Sequence, residues 1–217
     1  MNTEKIILNS EEKIRMRRDE GSKFGTKQIT ITAVLLAICI VSQVFKNIHV
    51  LITGPIVNLC IVLAVLTVNL PCGIILSIIT PVTAYIIAAS PVMAAVPAVI
   101  VFIMLGNIVL AVSVQVFFKK PFVKSKSSEI KVTYVVRAVF CALAKSVFMG
   151  VTISMWLLPT FIPEGSPLRG KMKTFQMMFS VTQFATACIG FVYVFVVYFV
   201  LKQAFKRDLA LFQKSDS

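Results

Sequence analysis

The stretch that decides the fold runs from Asn47 to Phe118 and reads NIHVLITGPIVNLCIVLAVLTVNLPCGIILSIITPVTAYIIAASPVMAAVPAVIVFIMLGNIVLAVSVQVFF. It contains no Asp, Glu, Lys or Arg over 72 residues. A helix that crosses a bilayer needs about 20 apolar residues, so this stretch is long enough for several crossings. In the whole chain of 217 residues, 58% are hydrophobic and 14% are charged. The sequence therefore predicts an all-α membrane protein and argues against the soluble classes of enzyme.

Proline, glycine and polar residues divide the chain into six predicted transmembrane helices. We expect spans at 28–45, 55–70, 73–89, 92–118, 131–158 and 174–201, with Gly54-Pro55, Asn69–Gly73, Ser90-Pro91 and the prolines after Leu158 in the connections. This predicts three regions: a polar cytoplasmic tail over 1–27, a six-helix transmembrane domain over 28–205 and a cytoplasmic C-terminal tail over 206–217.

The basic residues predict the orientation of the bundle. The net charge is +13, but Lys and Arg fall in short blocks between apolar spans, which indicates membrane topology rather than nucleic-acid binding. Sixteen of them lie in the N-terminal tail, in the loop between spans four and five, and after span six, whereas the opposite loops hold four: Lys46, Arg169, Lys171 and Lys173. Because cytoplasmic loops carry the excess of Lys and Arg, both termini are predicted to be cytoplasmic.

Lys145 is the strongest candidate for a binding residue inside the spans. It lies 14 residues beyond Lys131 and 13 before Leu158, near the middle of span five, and all nine acidic residues lie outside the spans. A charge at that depth costs about 2.5–3.5 kcal/mol even on insertion scales. The ammonium is expected either to meet an anionic or carbonyl-bearing ligand or to be structural, bonded to carbonyl groups or snorkelling. In the first case, removal of the charge should leave the ligand-free protein at least as stable.

Other polar residues near the depth of Lys145 complete the candidate site. Gln176, Ser180 and Gln183 recur at helical spacing and are expected to face one cavity. Asn58 is expected at the outer mouth of this cavity, together with Trp156, which could equally be an interfacial anchor. Any of the polar residues could instead bond a neighbouring helix. The predicted ligand-binding set is Lys145, Asn107, Gln183, Asn58, Met149, Thr152 and Gln176.

Several other kinds of site are disfavoured by the sequence. The five cysteines stand alone and His49 is the only histidine, so we predict no metal site and no cofactor. Membrane proteases and hydrolases need catalytic groups that the spans lack.

In span one, Ala33 and Ala37 are four residues apart, a spacing of small residues that lets another helix approach closely.

The combination of these features resembles the substrate-binding S components of energy-coupling factor (ECF) transporters. The likeness covers about residues 28–205 and depends on Ala33 and Ala37, on Gly54-Pro55-Ile56-Val57-Asn58, on Leu105-Gly106-Asn107 and on Ala144-Lys145. The resemblance implies a multi-pass protein of a prokaryotic plasma membrane that binds a vitamin or vitamin precursor from outside. It also implies that the protein is not itself an enzyme.

The resemblance further implies partners. In that family, two cytoplasmic ATPases and a transmembrane coupling protein drive the S component to topple in the membrane, and the small-residue face of span one meets the coupling protein. Ala33 and Ala37 would then contact that subunit, while the first outer loop and spans four to six would line the ligand site. Two alternatives of other classes stay open: a stand-alone small-molecule carrier or channel, and a membrane scaffold that transports nothing.

Overall fold

A computed structural model describes residues 25–45, 50–118 and 132–215. These residues form helices and short connections, and no strand occurs among them. The helices are α1 (Thr26–Val44), α2 (Val50–Thr67), α3 (Leu70–Ala88), α4 (Pro91–Ala95), α5 (Ala98–Phe118), α6 (Val132–Met149), α7 (Met172–Phe179) and α8 (Val181–Ser215). After Met149 the helix of α6 continues as a π-helix, Gly150–Leu157, and then as one further α-helical turn, Leu158–Phe161.

Four helical stretches of the described residues are long and apolar enough to cross a membrane: Leu70–Ala88, Ala98–Phe118, Val132–Phe161 and Arg169–Val200. At 1.5 Å per residue, the 21 residues of α5 measure about 31 Å, close to the ~30 Å hydrocarbon thickness of a bilayer. Apolar stretches of α1 and α2, Gln28–Val44 and Ile52–Thr67, are shorter. The helix lengths and composition are compatible with a membrane-embedded protein.

The outward faces of the long helices support the same conclusion. By long helices we mean the six of 18 or more residues: α1, α2, α3, α5, α6 with its π-helical continuation, and α8. Each of them exposes large apolar side chains, and Ile86 on α3 and Met155 on the α6 helix are 75% and 74% exposed. A soluble monomer rarely exposes a contiguous apolar surface beyond a few hundred Å². The exposed residues include, one for each long helix, Val34, Ile52, Ile86, Val116, Met155 and Val192.

Two apolar cores occupy successive levels of the bundle. The first, here called the lower core, includes Cys60, Ile61 and Val65 of α2, Leu110, Val114 and Phe118 of α5, and Tyr134, Ala138 and Cys141 of α6. The second, the upper core, includes Val92 and Val99, the buried face of the π-helix and Phe175 and Phe179 of α7. Along α5 and α6, Asn107 and Lys145 fall between the residues of the two cores. The bundle therefore has a polar level between two apolar ones.

Glycines at helix crossings fix the positions of the polar residues. A Cβ on Gly190 of α8 would lie 2.9 Å from the Asn58 Cβ atom and 3.1 Å from the Pro55 carbonyl oxygen, so α2 and α8 are in close contact beside Asn58. A Cβ on Gly106 of α5 would lie 2.6 Å from the Met149 Cγ atom. These crossings bring Asn58, Asn107 and Lys145 to the same level.

Some predicted boundaries need correction. Gly54 and Pro55 were expected in a loop, but they lie inside α2, which begins at Val50. Predicted span four is divided into α4 and α5 by Val96 and Pro97, since proline lacks the N–H that a continuous helix requires. Predicted span six is divided at Ser180, whose backbone (φ −116°, ψ −85°) is not helical.

Other predictions fall wholly or partly outside the described residues. These concern most of the N-terminal tail, the polar residues Lys46, Asn47 and His49 and the basic loop 119–131. At the C-terminus, α8 continues through most of the predicted tail to Ser215.

Candidate functional site

A cavity of about 150 Å³ lies at the polar level of the bundle. Each of the long helices contributes at least one polar side chain to its wall, and residues next to or within α4 and α7 complete it. The polar contributors from the long helices include Gln43, Asn58, Thr80, Asn107, Lys145 and Gln183. A site assembled from this many elements is formed only when the bundle is folded.

Lys145 is the centre of the polar wall. Its side chain is 3% exposed, and its Nζ atom donates one hydrogen bond to Asn58 Oδ1 at 2.6 Å and another to Asn107 Oδ1 at 2.8 Å. Two neutral amide oxygens from α2 and α5 therefore solvate the ammonium. A lysine has three N–H donors, so one remains beyond these two hydrogen bonds.

Gln43 forms a second polar contact at the cavity. Its Nε2 atom donates to the Thr80 carbonyl oxygen on α3 at 2.9 Å. The Thr83 hydroxyl donates to the same carbonyl oxygen at 3.0 Å. Gln43 thus connects α1 to α3 at the level of Lys145, and its side chain is 1% exposed.

Two polar atoms of the cavity residues have no hydrogen-bond partner within the described part of the chain. They are Gln43 Oε1, an acceptor, and Asn58 Nδ2, a donor, and both are buried. Buried polar atoms in proteins are nearly always hydrogen-bonded, and a buried atom left unpaired costs about 1–3 kcal/mol. The polar level therefore contains two buried atoms whose hydrogen-bonding capacity is unused within the described residues.

The rest of the wall is mostly apolar. It is formed by Val57, Pro81, Ala84, Met93, Ile103, Met178 and Phe179, together with the small polar residues Thr53 and Ser90. Met93 and Phe179 also belong to the upper core, which covers that side of the cavity. An apolar wall with a few converging polar groups is the usual composition of a small-molecule site.

Four of the seven predicted ligand-binding residues line this cavity: Lys145, Asn107, Asn58 and Gln183. Asn58 was expected at the outer mouth, but it is bonded to Lys145 instead. The reason is that α2 begins five residues earlier than predicted, which places Asn58 in its third turn. Trp156 is more than half exposed and contacts Phe102 and Phe161 edge-to-face, away from the cavity lining.

The other three predicted residues, Met149, Thr152 and Gln176, are not part of the cavity lining. Met149 is buried in the upper core against Gly106. The Thr152 hydroxyl donates to the Phe148 carbonyl oxygen of its own helix at 2.6 Å. Because the helix is interrupted at Ser180, helical spacing does not place Gln176 and Gln183 on one face, and only Gln183 reaches the wall.

Gln176 instead holds α7 against the π-helix. Its Nε2 atom donates to the Ser154 carbonyl oxygen at 3.0 Å, and the Ser154 hydroxyl donates to the Gln176 carbonyl oxygen at 2.9 Å. In the π-helix each N–H bonds to the carbonyl five residues back, as the Leu158 N–H does to the Ile153 carbonyl. In this pattern the Ser154 carbonyl would accept from the N–H of residue 159. Because residue 159 is proline and has no N–H, Gln176 supplies the missing donor.

Ala33 and Ala37 lie on the exposed side of α1. Their neighbours on this surface, Val34 and Ile38, are also exposed, whereas Leu35 and Cys39 on the opposite side are buried. The two alanines are therefore available to a partner helix or to lipid, and they are not part of the internal packing of the bundle.

Sequence reasoning missed Gln43 and Thr80. An uncharged amide inside an apolar span is itself a signal, because polar groups are rare at that depth and usually face the bundle interior. Gln43 lies near the end of predicted span one, where polar residues are common. Its position in the sequence therefore did not indicate that it lines the cavity. Thr80 precedes Pro81, and prolines inside membrane helices occur where neighbouring groups satisfy displaced carbonyls.

The polar groups of the cavity wall differ from the usual ligands of a metal site. Among the described residues, no group of three His, Cys, Asp or Glu side chains is positioned to hold a metal. The wall instead offers amides, hydroxyls and one ammonium, which form hydrogen bonds to organic polar groups.

Comparison with protein-family descriptions, curated proteins and solved structures found no significant match to this chain.

Proposed function

We propose that the chain is the substrate-specific S component of an ECF-type importer in a prokaryotic plasma membrane. In this proposal it spans the membrane six times with both termini in the cytoplasm, binds a vitamin or vitamin precursor from outside and delivers it with partner subunits. Those partners are a transmembrane coupling protein and two cytoplasmic ATPases, and the chain itself hydrolyses nothing.

The observation that carries the proposal is the cavity around Lys145. A bundle without a ligand has no need of a buried ammonium, two asparagines and a glutamine at one level, because apolar residues of similar volume would stabilise it as well or better. A polar level of this kind in a membrane domain marks a pathway or a binding site. The upper core separates it from one end of the bundle and the lower core from the other, which favours a binding site over an open channel.

The exposed alanines of α1 support the second half of the proposal. A toppling subunit needs a surface on which a partner helix can slide, and small side chains permit close contact without interlocking. Ala33 and Ala37 provide such a surface on the side of α1 that faces away from the bundle. A stand-alone carrier has no requirement for it.

Purification from the native membrane tests this assignment against the two alternatives. We expect a mildly solubilised, tagged chain to retain a membrane subunit and two ATPases in constant ratio, and ATP-dependent uptake to require all four. Uptake by the chain alone in proteoliposomes would identify a carrier or channel. A chain that shows no uptake and retains no ATPases would favour a scaffold that transports nothing. Either of these two results would contradict the proposal.

A further inference from the structure

The cavity carries a net positive charge. Of the described residues that line it, Lys145 is charged and the others are neutral. Asn58 Oδ1 and Asn107 Oδ1 each accept a hydrogen bond from the ammonium, at 2.6 and 2.8 Å. Because amide side chains have no formal charge, these bonds stabilise the ammonium without neutralising it. The hydrogen-bonding needs of Lys145 are thus largely met, but its charge is not balanced.

The acidic residues that the structure describes do not supply a counter-charge. The Glu164 side chain is 94% exposed, and its carboxylate lies 3.8 Å from the Arg169 guanidinium. Asp208 lies on α8, 25 residues beyond Gln183 of the cavity wall, which is about 38 Å along a straight helix at 1.5 Å per residue. Within the described part of the chain, no carboxylate is therefore available to Lys145.

The burial of Lys145 makes this charge effective inside the cavity. The side chain is 3% exposed and lies between the two apolar cores. Charges interact more strongly in such surroundings than in water, and salt screens them less. The interaction depends on the distance between charges, so it acts on any guest in the cavity, whichever way the amide groups point. The site should therefore rank guests of one shape by charge, with anions first and cations last.

The size and wall of the cavity limit the rest of the guest. Its volume of about 150 Å³ equals that of an engineered protein cavity that binds one benzene molecule. The mostly apolar wall suits an organic body rather than a hydrated inorganic ion. One lysine balances one negative charge, whereas a phosphate monoester carries about −1.5 to −2 at pH 7. A carboxylate on a small apolar body meets all of these limits.

From the charge and the size together we propose that the ligand is a small organic monoanion, of the class of monocarboxylates with one ring or a short chain. Its carboxylate supplies the counter-charge for Lys145 that the described residues lack, and its apolar part occupies the rest of the cavity. This assignment rests on the proposed binding function and specifies its substrate class.

Three probes of nearly equal shape test the assignment on the purified full-length protein in a non-ionic detergent. Benzoate is an anion, benzamide is neutral and benzamidine is a cation at neutral pH. Calorimetric titration should show benzoate binding at one site per chain, about 5- to 10-fold more tightly than benzamide, because bonds to charged groups are stronger than neutral ones. Benzamidine should show no measurable binding.

The variant Lys145→Met removes the charge and keeps much of the volume. We expect its affinity for benzoate to fall by about 10- to 150-fold and that for benzamide by less, so that the preference for the anion disappears. Lys171→Met removes one positive charge at an exposed position and should keep the preference, which excludes a general attraction of anions to a basic protein. If Lys145→Met does not fold, the ranking of the three probes on the wild-type protein still decides the question.

Binding of benzamide or benzamidine as tightly as benzoate by the wild-type protein would overturn the assignment. A preference for benzoate that survives in folded Lys145→Met, or the absence of benzoate binding, would overturn it as well. In each of these cases a neutral or cationic ligand that co-purifies with the chain and its ATPases would still support the proposed function, so the two failures are distinguishable.

Discussion

At the scale of single residues, the energetics of the site depend on how Lys145 is solvated. Asn58 and Asn107 place two amide oxygens on the ammonium, at 2.6 and 2.8 Å. Bonds to charged groups contribute about 1.5–3 kcal/mol each, so the two together are large enough to offset the cost of about 2.5–3.5 kcal/mol for a charge at this depth. If Lys145 only binds a ligand, as one of the two alternatives from the sequence has it, loss of this charge should leave the protein at least as stable. The two asparagines change that expectation.

We expect Lys145→Met to lower the free energy of unfolding by about 1–3 kcal/mol, because Asn58 Oδ1 and Asn107 Oδ1 both lose their donor and stay buried. Thermal melts of the purified protein in detergent measure the change. Lys171→Met, the same substitution at an exposed lysine, is the control and should be neutral. A Lys145→Met protein as stable as the wild type would contradict this expectation, because it would show that the two hydrogen bonds do no more than offset the cost of the buried charge.

The triple variant Asn58→Leu, Asn107→Leu, Lys145→Met separates stability from binding. It replaces all three polar side chains by apolar ones of similar volume, a change that is often neutral or stabilising in proteins. We expect its melting temperature to return to within a few degrees of the wild-type value. A melting temperature below that of Lys145→Met would mean that the asparagines have further structural partners.

How much of the site the sequence predicts depends on the residue. Lys145, Asn107, Asn58 and Gln183 could be found because a polar residue inside an apolar span is expensive and therefore conspicuous. Their mutual contacts could not, since these follow from the rotation of each helix about its axis and from close approaches such as that at Gly190. A single sequence contains no measure of either.

At the scale of helices, the contact between Gln176 and Ser154 connects two irregular elements. The π-helical register removes the usual partner of the Ser154 carbonyl, and Pro159 cannot replace it. Gln176 donates to that carbonyl and receives a bond from the Ser154 hydroxyl in return. The pair therefore holds α7 against the part of the helix that follows Lys145, and through Met178 and Phe179 it supports the cavity wall.

We expect Gln176→Met to lower the free energy of unfolding by about 1–3 kcal/mol, because the Ser154 carbonyl is left without a donor. Met177→Leu, at the exposed neighbouring position, should have no measurable effect. Denaturant or thermal unfolding of both variants makes the comparison. Equal stability of the two variants would contradict the structural role assigned to Gln176.

The predicted helices agree best with the structure where helix-breaking and helix-capping residues mark a boundary clearly. Asn69-Leu70-Pro71 was expected to separate two helices, and α3 begins there with the Asn69 side chain accepting from the Cys72 N–H. The π-helix and the interruption at Ser180 carry no comparable signal, because both depend on tertiary contacts. The Ser180 carbonyl, for example, accepts from the Ser146 hydroxyl of α6 at 3.0 Å.

At the scale of the whole molecule, the distribution of Lys and Arg predicts the topology. In a background without native cysteines, Glu164→Cys should react with an impermeant thiol reagent in intact cells, whereas Lys124→Cys should react only after permeabilisation. The reverse pattern would place the upper core, which includes Ile162 and Phe175 on either side of Glu164, on the cytoplasmic side. The ligand would then have to enter from the wrong compartment.

The exposed alanines of α1 allow a separate test of assembly. Ala33→Leu or Ala37→Leu should block uptake, because the larger side chain prevents close contact with the coupling subunit. Binding to the isolated chain should be unchanged, since both alanines are exposed and lie outside the cavity lining. Val34→Leu, at another exposed position of α1, is the control and should support normal uptake. Equal loss of binding and uptake would contradict a role confined to assembly.

The central claim is that the cavity around Lys145 holds a small molecule, and quantitative mass spectrometry of co-purified compounds tests it most directly. The measurement compares the wild-type protein, the triple variant and Lys171→Met, all purified identically. We expect one small organic compound in near-equimolar amount with the wild type and with Lys171→Met. Loss of the bonds from Lys145 should lower its affinity for the triple variant by about 10- to 150-fold, so that variant should retain little of it. The same compound in equal amount on the folded triple variant would contradict the account.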